Sequence, residues 1–211
     1  MTKYLVVFDV DSTLIEDEVI ELLADEAGKR AEVAEVTERA MRGELDFAES
    51  LVERVATLAG LPESVFESVL KRVRITKGAK ETIRAIQASG GKVGAVSGGF
   101  TRLLDPLAKE LNLDFHRANE LEVVDGKLTG KVLGVIIDKN EKANALTEWS
   151  NKTGLDQTVA VGDGANDLAM MAIAGLGVAF NAKPIVQEQA DVVIKGNDLR
   201  ELLEVLEITQ Q

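Results

Sequence analysis

Three short apolar runs, Tyr4–Phe8, Lys92–Val96 and Thr158–Val161, constrain this chain more than any other feature. Each has the length of a strand and leads at once into small or polar residues and then a helical pattern. That combination fits strands buried on both faces and joined by helical crossovers. Leu176–Phe180 and Val192–Ile194 repeat the pattern. Strands alternating with helices predict an α/β fold with a doubly wound, mostly parallel, Rossmann-like sheet. At 211 residues and 45% apolar content, the chain can hold one such domain and a smaller insert.

The alternation breaks between Leu14 and about Arg74, where only helical periodicity is found. Ile15, Val19 and Leu22 share one face of a helix expected to end at Gly28, and Val33, Val36 and Ala40 mark a second ending at Gly43. Asp46 with Glu49 forms a capping pair for a helix carrying Phe47, Leu51, Val55 and Leu58 up to Gly60, and Pro62 suits a following first helical turn. The expected division is a catalytic core of residues 1–13 and 75–211 and a helical cap of residues 14–74. Within the core, residues 119–133 are expected as a small β-hairpin insert turning at Asp125-Gly126. The cap leaves the core at the carboxyl end of the first strand. Ligands of doubly wound sheets bind there, so the cap is placed to act as a lid.

Composition narrows the chemistry. There is no cysteine and one histidine, His116, so thiolate or histidine-rich metal sites and cysteine nucleophiles are excluded. The net charge of −12, without a basic stripe, argues against nucleic acid as a partner. No apolar run approaches a membrane span, and the N-terminus lacks a signal-peptide layout, so a cytoplasmic protein with no membrane partner is expected. An anionic substrate would need local positive devices.

Those devices lie just past the predicted strands. The first strand ends in Asp9 and Asp11, the second in Ser97-Gly98-Gly99, the third in Gly162-Asp163-Gly164-Ala165-Asn166-Asp167. If the strands are neighbours, four carboxylates share one crevice and require a counter-charge. A hard divalent cation with oxygen ligands fits best, Mg²⁺ above all. Ser97-Gly98-Gly99, expected at a strand-to-helix turn, offers N–H groups and a hydroxyl to an oxyanion such as phosphate. Lys142, opening a helical segment, could bring an ammonium to the same oxyanion.

This ordered set resembles the haloacid dehalogenase-like superfamily of phosphotransferases. The closer resemblance, over almost the whole chain, is to its phosphoserine phosphatase family. It rests on Ser-Gly-Gly-Phe at 97–100, Glu18, Ala-Met-Arg-Gly-Glu-Leu-Asp-Phe at 40–47, and Arg54. The resemblance implies Mg²⁺-dependent hydrolysis of O-phosphoserine, a small-molecule substrate, through an aspartyl-phosphate, as the last step of serine biosynthesis. It implies Asp9 as nucleophile and Asp11 as the acid that protonates the leaving oxygen and then activates water. The metal would be held by Asp9, the Asp11 carbonyl, Asp163 and Asp167. Ser97, Gly98, Lys142 and Asn166 would serve the phosphate. Glu18 would bind the substrate ammonium and Arg54 its carboxylate, with Met41 and Phe47 packing around it. A monomer or homodimer is expected. Two alternatives stay open: phosphate transfer or hydrolysis on another small phosphomonoester such as phosphohomoserine, and a receiver-like phospho-aspartate signalling module.

Overall fold

The computed structural model describes residues 2–41 and 44–209. Among them β1 (Leu5–Phe8) is followed by α1 (Val19–Ala27), α2 (Arg30–Met41), α3 (Phe47–Ala56), α4 (Val65–Leu70) and α5 (Ala79–Ala88). Then come β2 (Lys92–Phe100), α6 (Thr101–Leu111), β3 (Phe115–Val124), β4 (Lys127–Leu133) and α7 (Lys139–Thr153). The chain closes with β5 (Thr158–Gly162), α8 (Leu168–Ile173), β6 (Leu176–Phe180), α9 (Pro184–Gln187), β7 (Val192–Ile194) and α10 (Glu201–Val205).

The strands form one sheet in the order β4-β3-β2-β1-β5-β6-β7, parallel except for the β3–β4 pair. Side chains alternate across it, as the pleat requires. Val6, Phe8, Val93, Ala95, Val159 and Val161 pack with Ile83 and Ile86 of α5, Leu103 and Leu107 of α6 and Leu202 of α10. Leu5, Val7, Val96 and Ala160 face the other way, onto Leu146 and Trp149 of α7 and Met170 of α8. Both faces are therefore covered, which explains the uninterrupted apolar runs. Strand order reverses at β1, with β2 on one side and β5 on the other, and a doubly wound sheet opens its ligand crevice at such a point.

The helices between β1 and β2 start and stop for local reasons. Gly28 ends α1 in the left-handed conformation (φ 65°). Asp46 and Glu49 form the expected capping box at α3, with bonds of 2.8 and 2.9 Å in the two directions. Leu23, Val33, Leu51, Val55, Val65 and Val69 pack together and join the core on the α5 face. Where these helices leave the sheet, Ile15 pairs with Ile75 in an antiparallel bridge, so the two connections run side by side.

Several expectations need correction. Ile15 lies in that bridge rather than on α1, and α3 ends before Leu58. Pro62 bridges Lys127 and precedes α4 by three residues. The hairpin turns at Asp125 (φ 50°) and Gly126 (φ 73°), as Asp-Gly predicts, yet it is no separate insert. The first half of β3 belongs to the parallel sheet, pairing Phe115, His116 and Arg117 with Gly94, Ala95 and Val96. The second correction of consequence is β2, which runs on to Phe100. Between the pairs Val96–Arg117 and Phe100–Asn119, Ser97-Gly98-Gly99 stands opposite Ala118 alone. The oxyanion segment is a bulged strand end and not a turn. His116 lies on the surface, 2.9 Å from Asp105.

Gly94 of β2 lies beneath the only tryptophan, where a Cβ would stand 2.6 Å from Trp149 Cζ3. Overpacking of this kind costs roughly 1–3 kcal/mol. Gly94→Ala is expected to destabilise the fold by that amount in urea denaturation. It should also shift Trp149 emission, since the ring stacks on Phe115 at 5.4 Å and has no room to retreat.

Candidate active site

The register of the sheet builds the site. Phe8 pairs with Val161, and the Asp9 N–H donates to the Val161 carbonyl at 2.8 Å, so Asp9 emerges beside Gly162-Asp163 of the neighbouring strand. Asp167 folds back over Gly162, where any Cβ would collide with its carboxylate, and its Oδ2 accepts from the Gly164 N–H at 3.1 Å. Glycine at 162 is thus a steric necessity. One oxygen from each of Asp9, Asp163 and Asp167 lies within 4.8 Å of the others.

Lys142 enters this group from α7, which is capped by Asp138 through the N–H groups of Asn140 and Glu141. Its Nζ donates to Asp9 Oδ1 at 2.6 Å and Asp167 Oδ1 at 2.7 Å, and the residue is wholly buried. Burial alone would depress its pKa, but the charges of Asp167 and Asp9 outweigh that and raise it. Even so, burial pushes Asp9 up to about 7, with Asp167 adding repulsion that Lys142 only partly offsets. Asp163 rises to about 6 through burial and the charge of Asp167, eased by Lys183. Three buried carboxylates thus face one buried ammonium. These oxygen donors, with no imidazole or thiolate among them, fit a hard divalent cation.

Asp11 sits differently. After Asp9, the chain makes a wide turn, closed by Ile15 N–H to Val10 O at 3.0 Å, in which Asp11 is extended and Ser12 is left-handed (φ 58°). Asp11 Oδ2 accepts from the Val19 N–H at the start of α1 (3.2 Å), while Oδ1 is buried without a partner. Burial first, then the charges of Glu18 and Asp9, hold its carboxyl well above the usual range. Burial thus favours the protonated carboxyl, and the unpartnered Oδ1 is open to an incoming hydrogen-bond partner.

A cavity of about 660 Å³ opens over these residues, lined from the sheet by Asp9, Asp11, Ser97, Gly98, Asp163 and Asn166. From the helices come Glu18, Phe47 and Arg54. Ser97 Oγ is oriented by the Gly99 N–H at 2.7 Å. A Cβ on Gly98 would sit 2.9 Å from Phe47 Cζ, so Phe47 rests directly on the bulged strand. Glu18 Oε1 accepts from Ser12 Oγ at 2.7 Å, and Arg54 donates through Nε to the Ser50 carbonyl at 3.2 Å. Burial holds the Arg54 guanidinium below its usual pKa against the pull of Glu18 and Asp11.

The structure thus gathers Asp9, Asp11, Glu18, Phe47, Arg54, Ser97, Gly98, Asp163 and Asn166 around one cavity. Lys142 and Asp167 lie beneath it instead of on its wall, because each satisfies the other. The side chain of Met41 falls outside the described residues. Sequence reasoning missed Asn119, which is buried at β3. Its Nδ2 donates to the Gly98 carbonyl at 2.9 Å and its Oδ1 accepts from the Ile137 N–H at 2.8 Å, tying the bulge to the approach to α7. It also missed Ser12, Ser50 and Lys183, whose significance is visible only after folding. No helix among the described residues is long and apolar enough to cross a membrane.

Comparison with known proteins gives a consistent result. Residues 6–172 match the model of the haloacid dehalogenase-like hydrolase family. The phosphoserine phosphatase of Streptococcus thermophilus is 56% identical, with 97% of this chain and 96% of that protein covered. Phosphoserine phosphatase SerB2 of Mycobacterium tuberculosis is 54% identical over 99% of this chain, which spans only 52% of that longer relative. A solved phospho-aspartyl intermediate analogue of phosphoserine phosphatase superposes with a TM-score of 0.90 at 45% identity, covering 97% of this chain and 99% of the other. A substrate-bound phosphoserine phosphatase complex gives 0.91 at 44% identity with the same coverage.

The charge deficit makes a sign-definite prediction for Asp163. Its carboxyl ionises near 3.8 when unfolded and about 6 when folded, so the native state is penalised as pH rises through that window and fully so above it. Asp163→Asn should therefore stabilise the metal-free protein at pH 8 by up to about 3 kcal/mol and leave it unchanged at pH 4. Added MgCl₂ should raise the thermal midpoint of the parent protein, and that upshift should be lost in the same variant. Calorimetry at both pH values, with and without the salt, reads both effects.

Proposed function

The chain belongs to the haloacid dehalogenase-like hydrolase family, and we propose that its reaction is the Mg²⁺-dependent hydrolysis of O-phosphoserine to serine and phosphate. The observation that carries this reading is the asymmetry of two neighbouring carboxylates. Asp9 has Oδ1 bonded to Lys142 and its other oxygen free of that contact, whereas Asp11 keeps a buried, unpartnered Oδ1 and a strongly raised pKa. One is prepared to attack and the other to give a proton.

In the first step Asp9 Oδ2 bonds to phosphorus as the phosphorus–Oγ bond of the substrate breaks, and the departing serine oxygen takes the proton of Asp11. In the second, Asp11, now a carboxylate, removes a proton from water as the water oxygen attacks phosphorus. The bond to Asp9 then breaks, releasing phosphate and restoring the carboxylate. Ser97 Oγ and the Gly98 N–H are assigned to the phosphoryl oxygens, with Asn166 positioning them. Lys142 acts from below, holding Asp9 in place and limiting its charge. Asp9, Asp163, Asp167 and the Asp11 carbonyl would hold Mg²⁺, which supplies positive charge against the phosphoryl oxygens when bound.

Substrate choice is assigned to residues 14–74, read as a cap. Glu18 and Arg54, of opposite charge, line the same cavity, which matches the ammonium and carboxylate of an amino-acid phosphate. Phe47 closes the apolar side above Gly98. The relatives named phosphoserine phosphatase support the same substrate.

Phosphate release should be catalytic with phosphoserine and Mg²⁺, and much weaker with glycerol phosphate. Stoichiometric labelling without turnover would instead favour a signalling module. Asp9→Asn should abolish release while circular dichroism stays native; substantial Mg²⁺-dependent activity in that variant would remove Asp9 as nucleophile. Arg54→Ala should lower kcat/KM for phosphoserine by about 10- to 100-fold, the scale of a charge-assisted hydrogen bond. Phosphoethanolamine, lacking the carboxylate, should be turned over almost as by the parent. Unchanged discrimination between the two would contradict the role given to Arg54.

A further inference from the structure

Before any cation is held by its acids, the cavity wall meets an anionic substrate with more negative than positive side chains. Of the described residues that line it, Asp9, Asp11, Glu18 and Asp163 are acidic and only Arg54 and Lys183 are basic. The whole chain carries −12. Lys142 cannot serve at the mouth, because it is fully buried with Asp9 and Asp167 as its ion-pair partners. Arg54 comes from α3 on the helical side. Lys183 comes from the sheet side, in the loop between β6 and α9.

Two features distinguish Lys183 from an ordinary surface lysine. Its main-chain N–H donates to the Asp163 carbonyl at 3.0 Å, which anchors its backbone to the rim of the site. Its side chain is exposed and lines the cavity, and its ammonium acts on the Asp163 carboxylate by charge alone, without a hydrogen bond.

We infer that Lys183 is the capture residue on the sheet side of this cavity, an ammonium at the mouth that draws the phosphomonoester dianion past the carboxylates. The inference rests on the phosphoserine reading above. It gives Lys183 a part in reaching the bound state and none in the bond-making steps, which belong to Asp9 and Asp11. A unit charge acting on a dianion from several ångströms through solvent changes capture by about three- to tenfold at low ionic strength. Salt should erase that effect, since the Debye length falls from about 30 Å at 0.01 M to about 3 Å at 1 M.

The test is steady-state turnover of phosphoserine at about 0.01 M and about 0.5 M ionic strength. It compares the parent with Lys183→Gln, Lys183→Arg and Lys183→Glu. Lys109→Gln, an equal charge loss at an exposed position of α6 away from the cavity, is the control. At low salt Lys183→Gln should lose about three- to tenfold in kcat/KM with kcat within twofold, and Lys183→Glu should lose more. Lys183→Arg and Lys109→Gln should match the parent, and the deficit should close at high salt. Parental kinetics for Lys183→Gln at low salt would overturn the inference. So would a deficit that survives salt or falls on kcat, or an equal loss in Lys109→Gln. Titration of the same proteins with inorganic phosphate, read by thermal shift at both salt levels, tests the charge effect without turnover. A parent protein inactive on phosphoserine would overturn the substrate reading, and the phosphate titration would still decide on Lys183.

Discussion

The buried bridge from Lys142 to Asp9 and Asp167 is the interaction on which the rest of the site depends. An ion pair removed from water costs several kcal/mol per charge and is tolerated only with close geometry. Here one ammonium meets two carboxylates at 2.6 and 2.7 Å, with a third, Asp163, close by. Three ionised carboxylates and one ammonium leave a formal charge of −2. Without a cation, burial and then the repulsion among these carboxylates favour protons on the cluster, which is why the pKa values of Asp9 and Asp163 are raised. A divalent cation would meet that deficit with charge, and the protons would leave as it binds. The same deficit therefore marks both a candidate metal site and the cost of this cluster without a cation.

The turn between β1 and α1 couples this charge centre to the helices above it. Val19 of α1 bonds Asp11, and Ser12, held in the left-handed region, bonds Glu18. Below, Glu16 N–H to Arg74 O and Thr76 N–H to Leu14 O, each 2.9 Å, stitch the outgoing and returning chains together. The proposed proton donor and the proposed ammonium ligand thus occupy one short segment at the root of α1. A shift of α1 would alter the burial of Asp11, and with it the raised pKa on which the proposed proton donation rests.

The sequence was most legible where chemistry is local. Apolar runs located β1, β5 and β6 because both faces of these parallel strands are buried, and β7 was legible from its apolar residues although it is the half-buried sheet edge. Asp46 with Glu49 and Asp125-Gly126 were readable because caps and tight turns are decided within four residues. It was least legible where a residue answers to a distant strand. Ser97-Gly98-Gly99 reads as a turn from its glycines, but pairing with β3 makes it a bulge whose glycines admit Phe47 and Val19. Lys142 reads as a free cation beside a phosphate, yet two carboxylates more than twenty residues away in each direction claim it. Asn119 gave no signal, because its importance lies in joining Gly98 to Ile137 across the fold.

The net charge of −12 and an anionic substrate are reconciled by where charge is placed, not by how much there is. Positive groups are layered from the interior outward. Lys142 lies at the base, where it holds the proposed nucleophile Asp9, and Arg54 stands on the wall, where it can meet a carboxylate. Lys183 is at the mouth, where it faces solvent. A proton on Asp11, which its raised pKa favours, would remove one more negative charge from the path of the dianion, so the elevation that prepares the proposed acid would also lower the electrostatic barrier to binding. An ionised Asp11 would repel the leaving oxygen that it is proposed to protonate. In that reading, its burial beside Asp9 and Glu18 serves binding and chemistry through one interaction.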